Sequence, residues 1–140
     1  MKQVKLSIVV PCYNEQDALP VFYDNILPVM NNLQTSNKIQ DFELIFIDDG
    51  SKDDTLKQIK SLSEKDKHIR YFSFSRNFGK ESALLCGLRE SCGDYIVTMD
   101  VDLQDPPSLI PEMLDVVTDK NNNYDCAGSR RVTRMGEPPI

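Results

Sequence analysis

Two aspartates one residue apart, Asp100 and Asp102, are the residues of this 140-residue chain whose type and spacing point most directly to chemistry. They follow the expected strand Asp94–Met99, and in extended backbone the residues i and i+2 face the same way. Two carboxylates brought to one point repel by roughly 1 kcal/mol at 4 Å in water and about 4 kcal/mol at an effective dielectric of 20. A divalent cation removes that cost, and an oxygen-only donor set suits Mg²⁺ or Mn²⁺. Gln104, a further i+2 step along, offers a neutral oxygen. A second acidic pair, Asp48-Asp49, heads a Gly-Ser turn, where a carboxylate can accept hydrogen bonds from a nucleobase N–H or a ribose hydroxyl. Asp49 is the stronger candidate of the two. Tyr13 and Glu15 stand in a third polar segment, PCYNE, and Arg76, Lys80, Arg130 and Arg131 are cations suited to anion contacts. Each also has an ordinary structural reading as turn residue, helix acid or solvated surface charge.

These segments have one thing in common: each follows an apolar run. Strands are expected at Lys5–Val10, Phe42–Ile47, Ile69–Phe74, Asp94–Met99 and a short Asp125–Gly128. Helices are expected at Gln16–Leu33, with a kink at Pro28, and at Thr55–Lys65, Lys80–Cys92 and Ser108–Thr118. Asp53 or Asp54 can cap the second helix, and Gly93 can end the third. Strands alternating with helices of this length predict an α/β chain, Rossmann-like, with a mostly parallel sheet flanked by helices. In such sheets ligands bind at the carboxyl ends of the strands. All five strand ends are polar or charged, which makes a binding edge the better reading.

Composition narrows the class. Lys and Arg number 16 against 22 Asp and Glu, a net charge of −6, which argues against nucleic-acid binding. The longest apolar run has four residues, too short for a membrane span or a secretory leader, so a cytoplasmic protein is expected. A partner at the cytoplasmic face of a membrane is compatible with that. Cys12, Cys86, Cys92 and Cys126 form no CxxC pair and His68 is the single histidine, so reduced thiols rather than a zinc site are expected.

The segments VVPCYNE, FIDDGSKDDT, SRNFGKE, MDVDLQDPP and AGSRR, in this order and spacing over residues 6 to 131, resemble the nucleotide-binding part of family-2 glycosyltransferases of the GT-A fold. The SRNFGKE and DLQDPP versions look most like the branch that transfers sugars to dolichyl or undecaprenyl phosphate. The resemblance implies a nucleotide-diphosphate sugar donor, a UDP-sugar favoured, and a polyprenyl phosphate or other glycan or lipid acceptor. Pro11, Tyr13, Glu15, Ile47 and Asp49 match positions around the nucleoside. Asp100, Asp102 and Gln104 match the metal-binding motif, Val101 lies within it, and Arg130 matches a cation near the diphosphate. Arg76 and Lys80 stand in a matching motif without assigned contacts. Inverting transfer is implied, with metal and cations stabilising the departing nucleoside diphosphate. Such enzymes continue well past the equivalent of Ile140, so residues 1–140 are expected to be a donor-binding domain whose acceptor-side catalytic residues lie elsewhere. Two other functions fit parts of the pattern: a non-catalytic nucleotide-sugar-binding module, and a haloacid-dehalogenase-type phosphatase with Asp100 as nucleophile and Asp102 as acid.

Overall fold

Strands that are apolar on both faces demand cover on both sides, and that requirement organises the chain. A computed structural model describes residues 4–129. Its elements run β1 (Lys5–Cys12), α1 (Leu19–Thr35), β2 (Asp41–Asp48), α2 (Thr55–Lys65), β3 (Ile69–Ser73), α3 (Lys80–Glu90), β4 (Tyr95–Thr98), a 3₁₀ turn (Pro107–Leu109) and α4 (Ile110–Thr118). The chain divides into two compact units, Met1–Pro107 and Ser108–Ile140.

In the first unit four parallel strands are ordered β3-β2-β1-β4. Register sets the faces: Val9 pairs with Ile45 and Pro11 with Ile47, so these side chains share one face. On that face Val9, Ile45 and Ile47 pack with Ala83 of α3, all fully buried. A Cβ added to Gly87 of α3 would overlap the Val9 side chain and sit 2.9 Å from Ile47 Cδ1, so glycine there lets the helix lie close on the sheet. The other face carries Phe46, edge to face with Phe22 of α1 at 6.2 Å between ring centroids. Leu19, Phe22, Ile26, Met30 and Leu33 are the buried stripe of α1, as their 3–4 spacing predicts. The helix continues through Pro28, which is exposed, so the expected kink does not end it. Asn37, at φ 59°, closes it in the left-handed conformation.

Three expectations need correction. The first helix begins at Leu19 rather than Gln16, because Gln16 is drawn into contacts with the start of α2, as described below. The third ends at Glu90 rather than Cys92, whose N–H donates to Glu43 Oε2 at 2.7 Å. Asp125–Gly128 in the second unit is not a strand; it is a short, largely exposed run with no ladder partner among the described residues. That unit is otherwise described by α4, with Ile110 and Leu114 buried.

A polar network is embedded beneath the α3–β4 connection. Glu43, 4% exposed, accepts from Ser7 Oγ (2.6 Å), Cys92 N (2.7 Å) and Arg70 Nη1 (2.9 Å), and Ser7 Oγ accepts from Gly93 N (2.8 Å). Burial pushes the Glu43 carboxyl up, but the Ser7, Cys92 and Arg70 donors outweigh it and hold the group below its ordinary value of 4.5. A carboxyl lowered by folding stabilises the native state above its unfolded value and loses that contribution as pH falls through the folded value. Glu43→Gln should therefore cost about 2 kcal/mol at pH 7, the scale of hydrogen bonds to a charged group, and less in acid. Urea titrations of both proteins from pH 7 to pH 3 check this; a gap independent of pH would show that charge plays no part.

Candidate nucleotide and metal site

The strand order places a topological switch point between β1 and β4: the chain steps outward one way through β2 and β3, then returns to the other side of β1. Crevices open at such points, outside the carboxyl ends of the two strands. A cavity of about 240 Å³ lies there, lined by Pro11 and Cys12 at the end of β1, Tyr13 and Glu15 after it, Asp49 after β2, Lys80 of α3, and Asp100, Val101 and Asp102 after β4. An adjoining cleft of about 490 Å³ is lined by Tyr13, Asp48, Ser51, Arg76 and Asn77 among others. Tyr13, 43% exposed, borders both.

The loops that form this edge are bonded to one another. Asn14, at φ 52°, donates from its N–H to Ser51 Oγ and accepts from Lys52 N at its Oδ1, both at 2.8 Å. Asparagine adopts the left-handed region more readily than other side chains. Glu15 N donates to Thr55 Oγ1 (2.8 Å), Gln16 N to Asp53 Oδ2 (3.2 Å), and Asp54 N to Gln16 Oε1 (3.0 Å). At the start of α2 it is Asp53, not Asp54, that accepts the Thr55 N–H, at 3.0 Å. Asn14, Gln16, Ser51 and Thr55 are structural members of the site that residue type alone did not single out. Asn14 carried the one usable signal, an Asn between a strand and a helix.

Asp49 is 3% exposed, and its carboxylate accepts from Phe78 N (2.8 Å), Gly79 N (3.1 Å) and Asn77 Nδ2 (3.2 Å). It thus fastens the β3–α3 loop, which presents Arg76 and leads into Lys80 at the start of α3, to the end of β2. A carboxylate has about four lone-pair directions, so one remains. Neighbouring Asp48, 2% exposed, has an oxygen, Oδ1, with no hydrogen-bond partner among the described residues. Arg76 lies over the Phe78 ring at 4.7 Å.

Around the aspartate pair the geometry differs from the extended arrangement expected. β4 ends at Thr98, Val101 and Asp102 lie in a turn just after Asp100, and Leu103 sits at φ 59°, a costly conformation for that side chain. Val101 points inward at 2% exposed, while Asp100 and Asp102 both reach the cavity. Gln104 does not line it; its N–H donates to Asp102 Oδ1 at 3.2 Å. Ile47 is fully buried under α3 rather than in the cavity wall. Arg130 and Arg131 lie outside the described residues.

Burial first, then the charges of Asp102, Asp53 and Asp100, push the Glu15 carboxyl above its ordinary value. Burial, with Asp48 and Glu15, likewise pushes the Cys12 thiol up. This edge is electrostatically short of positive charge, and Lys80 Nζ supplies some of it, 2.6 Å from Asp100 Oδ1. No three ligating side chains among the described residues already form a metal cage. Two carboxylates open to a cavity suit instead a cation that takes its other ligands from phosphate and water, as Mg²⁺ commonly does.

The sequence model of glycosyl transferase family 2 matches residues 7–138. The chain belongs to glycosyl transferase family 2. It is 35% identical over 132 residues to the undecaprenyl-phosphate 4-deoxy-4-formamido-L-arabinose transferase of Proteus mirabilis, a match covering 94% of this chain and 38% of that protein. It is 43% identical over 112 residues to the prophage bactoprenol glucosyl transferase homolog of Escherichia coli, covering 80% of this chain and 35% of that protein. The family-2 chain therefore spans less than two fifths of either relative. Among solved structures it is similar to the mannosyltransferase PcManGT of Pyrobaculum calidifontis in complex with GDP-Man and Mn²⁺, with a TM-score of 0.69 and 21% identity, covering 86% of this chain and 34% of that one. The fold is that of GT-A glycosyltransferases, as expected. The phosphatase alternative fails: the aspartate pair of this family-2 chain follows the fourth strand, at the sheet's edge, rather than the first.

Proposed function

We propose that this chain is the donor-binding part of an inverting glycosyltransferase that moves a sugar from a nucleotide-diphosphate sugar, a UDP-sugar favoured, to a polyprenyl phosphate. The observation that carries the reading is the meeting of Asp100, Asp102, Glu15 and Lys80 at the switch point of a family-2 chain. Relatives named for undecaprenyl-phosphate and bactoprenol transfer support the acceptor class. The GDP-Man and Mn²⁺ of the mannosyltransferase support a nucleotide sugar with a divalent cation. No described helix is long and apolar enough to cross a membrane.

In this reading the nucleoside lies along Pro11 and Tyr13, with the remaining acceptor of Asp49 facing its N–H or hydroxyl donors. Asp100 and Asp102 would hold Mg²⁺ or Mn²⁺, which when bound neutralises charge on the diphosphate and so favours its departure. Arg76 and Lys80, with Arg130 in the family's diphosphate position, add cationic stabilisation as the bond from anomeric carbon to phosphate oxygen breaks. The acceptor phosphate, largely dianionic near neutral pH, supplies the attacking oxygen with little need of a general base.

Calorimetry with UDP and GDP, each with Mn²⁺ and with EDTA, tests the donor site. UDP should bind in Mn²⁺ and at least tenfold more weakly in EDTA. One close charge pair is worth about 4 kcal/mol at an effective dielectric of 20, well above the roughly 1.4 kcal/mol of a tenfold step. Equal affinity in EDTA would remove the metal from the reading, and preference for GDP would replace the uridine assignment.

A further inference from the structure

Lys80 opens α3, immediately after Gly79 at φ 103°. Asp49 holds the N–H groups of the two residues before it, so the start of this helix is fixed from the buried end of β2. From that fixed point the lysine side chain reaches across to Asp100, with Nζ 2.6 Å from Oδ1. Both side chains are substantially exposed, Lys80 at 59% and Asp100 at 45%, so neither needs the other for burial. An exposed pair of this kind is worth little and is easily exchanged. The same Asp100 faces the cavity where the reading above seats a divalent cation. An ammonium and a divalent ion bound to one carboxylate would repel each other, so the two compete.

We propose that Lys80 is a displaceable counter-ion of Asp100: it occupies the carboxylate before the divalent cation arrives, then yields it and turns to the donor diphosphate. This deepens the donor-site reading and rests on it. Lys80 is a positioning and binding residue whose two roles have opposite signs. While paired with Asp100 it weakens cation binding, and once released it strengthens nucleotide binding.

The test titrates Mn²⁺ alone into the chain, following free Mn²⁺ by electron paramagnetic resonance, and then UDP at saturating Mn²⁺ by calorimetry. Lys80→Met should bind Mn²⁺ roughly fivefold more tightly, the upper end of what an exposed ion pair contributes. It should then bind UDP roughly fivefold more weakly. Arg89→Met, which removes the same charge near the far end of α3, should change neither. Unchanged Mn²⁺ affinity in Lys80→Met, or an equal gain in Arg89→Met, would overturn the proposal. Asp100→Asn separates the two levels. If wild type binds Mn²⁺ and Asp100→Asn does not, while Lys80→Met equals wild type, the counter-ion role falls and the metal site stands. If neither wild type nor Lys80→Met binds Mn²⁺, both fall.

Discussion

Asp100→Asn should reduce Mn²⁺-dependent UDP binding by about 100-fold while leaving the fold intact. Losing a residue that merely orients a metal ligand typically costs 10- to 100-fold in metal affinity, so losing a ligand should reach the upper end. The substitution also deprives the Lys80 ammonium of its partner at 2.6 Å. Metal-free UDP binding should therefore be preserved in the variant, since a freed lysine remains available to the diphosphate. Asp100 is about half-exposed and lies beyond the last residue of β4, so the core has little stake in it. Calorimetry with and without Mn²⁺, beside a urea titration, measures both halves. A variant that keeps the full Mn²⁺ enhancement would show that the cation sits elsewhere. Asp102→Asn should follow the same direction, since that carboxylate lines the same cavity.

The second large effect is expected from a residue with no side chain. Gly50, in the turn after the acidic pair, has φ 73°, and a Cβ there would collide with the backbone carbonyl carbon of Arg76 and sit 2.5 Å from Asn77 N. Backbone cannot move aside by changing rotamer. Gly50→Ala thus combines a left-handed conformation, about 1–2 kcal/mol, with an overpacking cost of about 1–3 kcal/mol, for a total of about 2–5 kcal/mol. It should also weaken uridine binding, because the segment pushed away carries Arg76 and Asn77 into the cleft beside Tyr13. Gly79→Ala provides the comparison: φ is 103° there, but nothing lies within 4 Å of the added methyl. It should pay the conformational cost alone. Urea denaturation resolves the two, and a Gly50→Ala protein within about 0.5 kcal/mol of wild type, the scatter of an ordinary surface substitution, would rule out the close approach.

Much of this architecture was legible because it is written in local patterns. The apolar runs at Ile8–Val10 and Leu44–Ile47 marked buried strands, and α2 spans Thr55–Lys65 as its periodicity predicts. The polar composition of the strand ends pointed to the edge where the cavity lies, without reference to any contact. What was not legible depends on partners far away in sequence. Asp49 reads as a free acid in a turn, yet its carboxylate is occupied by N–H groups 29 and 30 residues away. Gln16 reads as a first-turn helix residue but is held by Asp53 and Asp54. Alternation suggested that Asp100, Asp102 and Gln104 share one side, whereas the chain turns after β4 and Leu103 adopts a conformation that nothing in its type foretells. The short run Asp125–Gly128 lacks what makes a strand, a neighbour with which to pair among the described residues, and composition cannot supply that information.

The bonding between the β1–α1 loop and the start of α2, from Asn14–Ser51 to Gln16–Asp54, also bears on the entropy of recognition. Loops that must be ordered by a ligand charge it about 0.5–1.5 kcal/mol for each side chain immobilised. Here the folded chain has already restricted those backbones, so in the proposed reading a nucleoside over Tyr13 would meet loops already tied together on the β1 and β2 sides. The ordering still to be done on binding falls on the other side of the cavity, on the exposed lysine and the turn that follows β4. Under the proposed donor-site reading, selection between bases would fall to the more ordered half of the site, and contact with the sugar diphosphate to the other.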